Sequence, residues 1–467
     1  MPLPADTHRP TPPDRTVNDA MPKKSATRIA SASPQPNGAA DTGMWLRVTR
    51  ELADDLAVDA LVRDRGGKPP FDEISRLREA GLPALLLPPG PLGRGADWRT
   101  ACAVIRDISA ADSSIGELLA RHYVLSWAPR FFGTPESADR LELRAAEEQW
   151  LWGGGTDIPA AGLGTASGEG IGAGIGTGIG TGAETGPARS PELTLTPAPR
   201  GYVLSGRKGF ATGVGVADRL ALGAVCSETG ESLIVVVDPA HPAVTTDPAH
   251  DRLGQRLTAA GSIGFDSVPV APDHVLGAVP RDEHDLSPFA ALAPLALRLA
   301  LVHVALGIAE GALAEARDFS RTAPRTWAVT VPDDAAYAAG PGRDPYLLLA
   351  YGELVAAAHT AAAVVEPATE ALARGLLLGQ ELGVDERADI AVLVAAAEAV
   401  TGKAAMQITT RIMELTDGAD SPADDPGFDR FWRNARVLTA QGSLTHSLRD
   451  IGDHYLNGTH PALTLRM

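Results

Sequence analysis

The sequence predicts three parts in order: an all-α domain, an antiparallel β domain and a C-terminal four-helix bundle. Three observations carry this. Apolar residues recur at steps of three and four from Trp45 to Trp150, the period of one helix face. After Trp152 the Gly and Pro content rises, and short β-branched runs replace that period. From Pro288 to about Asp417 the chain is Ala- and Leu-rich, in stretches long enough for three helices of about 30 residues each.

The elements follow in chain order. Residues 1–43 are rich in Pro, Ala, Ser and Thr, with no apolar stretch behind a basic start. They read as a disordered tail, not a signal peptide. Residues 44–150 form the first domain. "LRVTRELADDLAVDALVRDR" has the helical period, and "PPFDEISRLREAGLPALLLP" is a second helix stopped at Gly81-Leu82-Pro83. Two further helices meet between Ala111 and Ser114. Residues 151–277 form the β domain, with turns at Pro199-Arg200-Gly201 and Glu228-Thr229-Gly230. Inside it, residues 161–188 are a Gly-rich insertion. Every even position from Gly168 to Gly182 is glycine, so the odd step that a Gly-x-Gly-x-x-Gly phosphate loop needs is missing. A flexible connection between strands is the expectation. Residues 278–467 form the bundle, with a last helix starting near Phe428.

Composition removes several function classes. The chain has 467 residues, with 41 Lys and Arg against 58 Asp and Glu, a formal charge of −17. Such a charge repels nucleic acid and anionic lipid. Two cysteines, Cys102 and Cys226, supply neither a disulfide framework nor a zinc site, and no metal ligand set is expected. A reducing, cytoplasmic setting is expected. The most apolar stretch, Leu286 to Ala309, is interrupted by Arg298 and His303, which suits a buried helix better than a membrane span. His303 and His359, in apolar helices, read as core residues, and His454 as a chain-end residue.

Several stretches resemble the acyl-CoA dehydrogenase superfamily. "GYVLSGRKGFATGVGVADRLALGA" is similar to its flavin-binding β segment, and "LGQRLTAAGSIGFDSVPVAPDHVLG" resembles its Gly-x-Arg-x-(Ser/Thr) strand. "GRDPYLLLAYGEL", "DRFWRNARVLT" and "GDHYLNGTHP" resemble one branch, the dibenzothiophene monooxygenases and sulfur-acquisition oxidoreductases. The resemblance covers residues 44–467. It implies reduced FMN, or else FAD, supplied by a separate reductase, with oxygen and a small apolar molecule as substrates. It also implies a homotetramer.

By that resemblance, Thr212, Phe210 and Gly213 line the flavin, Thr212 through its hydroxyl and Phe210 as an apolar wall. His122, in "LLARHYVLSW", is placed facing the flavin as a catalytic group, because imidazole exchanges protons near neutral pH. Arg325 and Trp327, in "RTAPRTWAV", stand where the family has an arginine on the flavin phosphate. Arg433, in "WRNAR", either lines the flavin or pairs with acids. Gln441 departs from both branches. The dehydrogenases carry a catalytic glutamate in this region and the monooxygenases carry histidines, whereas here Leu438 and Gln441 stand. An amide is no base, but it can orient a substrate. The leading expectation is a two-component flavin monooxygenase. The alternatives are an acyl-CoA dehydrogenase-like enzyme with a relocated base, His446 being one candidate, and a non-catalytic flavin-binding protein.

Overall fold

A computed structural model describes residues 38–89, 93–156, 193–249, 251–280, 285–322, 343–416, 426–440 and 444–462. The Gly-rich insertion, Arg325, Trp327 and Gln441 lie outside the described residues.

The N-terminal part is helical: α1 (Gly38–Ala57), α2 (Ala60–Gly66), α3 (Phe71–Glu79), α4 (Trp98–Ala111), α5 (Ser113–Ser126), α6 (Ala128–Phe132) and α7 (Pro135–Glu148). The expected break after Ala111 is one residue long. Asp112 ends α4 and caps α5, its carboxylate accepting from the N–H groups of Ser114 and Ile115 at 3.1 and 3.3 Å. Every α5 residue except Arg121 is buried, so this helix runs through the interior.

One eight-stranded sheet follows: β1 (Trp152–Gly155), β2 (Thr194–Ala198), β3 (Gly201–Ala211), β4 (Arg219–Cys226), β5 (Ser232–Val237), β6 (Val244–Pro248), β7 (Gly261–Val270) and β8 (Val275–Val279). The strand order is β6-β7-β3-β2-β4-β5-β8, with β1 also on β4. Most pairs are antiparallel, as expected, but β1 and β2 both pair with β4 in parallel, so the sheet is mixed. β1 reads Trp-Gly-Gly-Gly and carries no β-branched residue to announce it. A second difference concerns Gly254-Gln255-Arg256-Leu257-Thr258. This segment is loop rather than strand, and β7 starts only at Gly261. Asp251, Gln255 and Ala259 have φ of 56°, 53° and 45°, a region no extended strand uses.

The C-terminal part comprises α8 (Leu292–Thr322), α9 (Pro345–Leu378), α10 (Val384–Thr416), α11 (Asp429–Thr439) and α12 (Leu444–Asn457). Helix α8 packs on α9, α10 and also on α4, so the first and third parts share one apolar core. The α4–α8 contact is close because Gly307 and Gly311 present no side chain. A Cβ at Gly307 would stand 2.5 Å from the Arg106 carbonyl oxygen. Among the described residues, two helices are apolar and long enough to cross a membrane by composition alone. The apolar window of α8 is 89% buried inside the protein, that of α9 only 28%. His303 is buried as expected, its Nε2 2.9 Å from the Thr369 hydroxyl. His359 is instead exposed on α9, and His454 lies near the chain end as expected, on α12.

Candidate active site

Strand β3 ends at Ala211, and the chain continues as a single bridge to β1. The Gly154 N–H donates to the Thr212 carbonyl at 2.8 Å, and the Thr212 N–H donates to the Gly154 carbonyl at 3.2 Å. Gly213 then turns with φ +71°, and its N–H donates to the Thr258 carbonyl at 3.1 Å. A Cβ on Gly213 would lie 3.5 Å from Leu118 of α5. Thr212 is buried at this junction. Phe210 is 50% exposed, an aromatic ring left uncovered beside the buried junction.

The loop before β7 closes over the same place. Arg252 sets its guanidinium carbon 5.5 Å from the centre of the Phe210 ring and donates to the Gln255 carbonyl at 3.0 Å and to the Thr258 hydroxyl. Burial lowers the Arg252 pKa. The Glu117 carboxylate opposes that shift, and Arg121 adds to it. Glu117, on α5, is 1% exposed and accepts from Arg121 Nε at 2.9 Å.

Gln255 joins all three parts of the chain. Its backbone N–H donates to Asn434 Oδ1 at 2.7 Å, and Asn434 Nδ2 donates to the Ser113 hydroxyl at 2.8 Å. The left-handed backbone at Gln255 costs on the order of 1–3 kcal/mol, and these buried bonds offset it. Residues of α5, the β3 end, the 251–260 loop and α11 therefore surround one place.

Two expected site residues have other work. His122 is fully buried. Its Nδ1 accepts from the Trp152 N–H at 3.0 Å, which leaves Nε2–H to donate to the Pro83 carbonyl at 2.9 Å. Burial drives its pKa down to about 4, with the Pro83 bond opposing. A neutral imidazole with both nitrogens bound to backbone has no proton to trade, so His122 braces β1 against the 82–84 turn. Arg433 is likewise occupied. It pairs with Asp64 at 2.5 Å and Asp429 at 2.8 Å and donates to the Leu253 carbonyl at 2.9 Å. Of the two readings of Arg433, the structure carries the acid-pairing one. His446 is exposed on α12.

The half-exposed Phe210 ring and the adjacent guanidinium fit a flat aromatic ligand with electron-rich edges. The arrangement can stack such a ring, exclude water from one face and present a buried carboxylate nearby.

Residues 299–444 match the family described as acyl-CoA dehydrogenase, C-terminal domain. Dibenzothiophene monooxygenase of Rhodococcus qingshengii is 31% identical over 440 residues, which covers 91% of this chain and 96% of that protein. This chain belongs to the flavin-dependent monooxygenases of the acyl-CoA dehydrogenase superfamily. A probable FMNH2-dependent monooxygenase, SfnC of Pseudomonas putida, is 29% identical over 422 residues, 89% of this chain and 96% of that one. The crystal structure of FMN-bound TdsC from Paenibacillus sp. A11-2 superposes with a TM-score of 0.76 at 29% identity, over 91% of this chain and 100% of that one. In this chain Phe210, Thr212 and Gly213 lie at the end of β3, Phe210 half-exposed and the other two buried.

Sequence reasoning missed Glu117, Arg252, Gln255, Ser113 and Asn434. One signal was available for Glu117: it is the sole carboxylate within "SSIGELLARHYVLS", and the flanking apolar residues bury it. Asn434 lies within "WRNAR", beside Arg433.

Proposed function

We propose that the chain is the oxygenase half of a two-component system. It takes reduced FMN from a separate reductase and, with oxygen, oxygenates a small electron-rich molecule. The observation that carries this is the half-exposed Phe210 ring held beside Thr212, Gly213 and Arg252 in a chain of this family. Bound reduced flavin supplies the activation of oxygen. The protein's own part is positional. Phe210 covers a ring face and keeps water from it. The Gly154–Thr212 bridge fixes the strand end against α5. The Gln255–Asn434–Ser113 bonds hold the loop that carries Arg252. Arg325 and Trp327, by resemblance, are assigned to the flavin phosphate, and Gln441 to orienting the substrate. The relatives named for dibenzothiophene suggest a heteroaromatic or sulfur compound as substrate. No Gly-x-Gly-x-x-Gly fingerprint occurs in the sequence, in keeping with flavin reduced elsewhere.

Four copies are proposed to assemble through the bundle, since α9 leaves Tyr346, Leu348, Leu349 and Val355 exposed. A cytoplasmic setting is proposed because Cys102 and Cys226 are both free and buried.

The test is direct. The protein is titrated with reduced FMN without oxygen, then exposed to 18O2 with dibenzothiophene, indole and methanesulfinate. Incorporation of 18O into a product supports the reading. Failure to bind reduced FMN, or enoyl-CoA formation from an acyl-CoA with an artificial electron acceptor, overturns it.

A further inference from the structure

The interior between α5 and the 251–260 loop holds two acceptor atoms left unpaired among the described residues. Among the described residues, Glu117 Oε2 and Gln255 Oε1 are both buried without a hydrogen-bond partner. One run of contacts links the two side chains. Gln255 Nε2 reaches the Ser113 hydroxyl at 3.5 Å, and Ser113 and Glu117 are four residues apart on α5, hence on one helix face. The third group of this place, Arg252, donates to the Gln255 carbonyl and lies over the Phe210 ring.

Leaving a buried acceptor unmade costs on the order of 1–3 kcal/mol, more when it is charged. A structural carboxylate on an interior helix normally spends both oxygens. Glu117 spends Oε1 on Arg121 and keeps Oε2 free. Such an atom is recovered when a donor arrives from outside the chain.

We propose that Glu117 is a specificity-determining residue whose Oε2 accepts a hydrogen bond from the substrate, with Gln255 Oε1 as a second acceptor. The substrate class is then narrowed to electron-rich molecules that carry an N–H or O–H beside the atom to be oxygenated. A sulfur heterocycle with no donor is bound less well. This rests on the monooxygenase reading above, and it adds the polarity of the substrate's recognised edge.

Two probes of nearly equal shape separate the cases. Indole offers an N–H where benzothiophene offers sulfur. Both are titrated against the FMN-loaded protein in its oxidised, air-stable form, with the flavin absorbance change as the readout of binding. A site built around a hydrogen bond rejects the analogue that lacks it. Indole is expected to bind at least about tenfold more tightly than benzothiophene. Glu117→Gln is the decisive variant. Arg121 Nε requires an acceptor, so the amide oxygen takes the Oε1 place and the NH2 group points where Oε2 was. An acceptor becomes a donor with almost no change of volume. Indole affinity is expected to fall about tenfold or more, and benzothiophene affinity to change less than about twofold. Gln255→Leu is expected to weaken indole in the same direction.

Equal losses for both probes would mark Glu117 as structural and overturn the proposal. So would an unchanged ratio, or wild-type protein that holds FMN and binds neither probe. FMN binding is read separately by quenching of flavin fluorescence. If FMN itself does not bind, the monooxygenase reading fails. If FMN binds and the indole preference is absent, this inference alone fails.

Discussion

His122 is neutral in the folded protein because the Trp152 N–H occupies Nδ1 and burial opposes charge. Its folded pKa of about 4 lies below the ordinary 6.5. Between those values the unfolded chain takes up a proton that the folded chain refuses, so stability falls as pH falls. The full contribution is present above about pH 6.5 and is lost progressively toward pH 4, on the order of 3 kcal/mol. His303, pushed down to about 3 by burial, acts in the same direction. Urea midpoints measured from pH 7.5 to 4 should therefore drop, and His122→Asn should flatten part of that slope. The same variant should leave hydrogen peroxide leakage per product unchanged. Increased leakage at full stability would return His122 to the chemistry. Arg433→Ala should cost about 3 kcal/mol, because it strands Asp64, whose side chain is 7% exposed. FMN affinity by fluorescence titration should stay within about twofold. Residue type was legible at Phe210, Thr212 and Gly213 because one contiguous motif holds them. Glu117 and Gln255 were not, because their meaning is an unpaired oxygen, a property of neighbours 138 positions apart in sequence.

Elements were legible where their period is long. The bundle helices α8, α9 and α10 repeat one face over about nine turns each, and no competing pattern interrupts them. The parallel pairings of β1 and β2 with β4 were not legible, since strand partnership depends on distant chain and β1 is nearly all glycine. The 251–260 loop differs for a related reason. The resemblance implies a strand at Gly254–Thr258, while α11 and α5 hold Gln255 at positive φ, a conformation that Asp251 and Ala259 share. Helix propensity is similarly overruled at Gly311. Alanine is the better helix former by about 1 kcal/mol, yet here its Cβ would stand on the Ala110 carbonyl oxygen. Gly311→Ala must push α4 away from α8, at an expected cost of about 2–3 kcal/mol. Thermal unfolding gives the sign. Stabilisation instead would mean that the two helices part without loss.

For the whole molecule, the decisive surface is the outer face of α9. Leu348 and Val355 are seven residues apart, hence on one side, and both are exposed, with Gly352 between them offering open space. An apolar helix face of this kind is normally covered by another helix. In this chain a second copy is the proposed cover. Charge works against it, since every copy carries −17. Apolar burial then has to overcome repulsion that salt screens over about 8–10 Å. Two consequences follow from that balance. Wild-type protein at micromolar concentration should sediment as a tetramer, and more completely in 0.3 M salt than in 0.02 M. Leu348→Glu with Val355→Glu should shift it to smaller species, because two carboxylates would have to be desolvated at a contact between already acidic copies. Far-UV circular dichroism should be unchanged, since neither side chain enters the subunit core. A wild-type monomer, or a double variant that sediments like wild type, would show that α9 is covered in some other way.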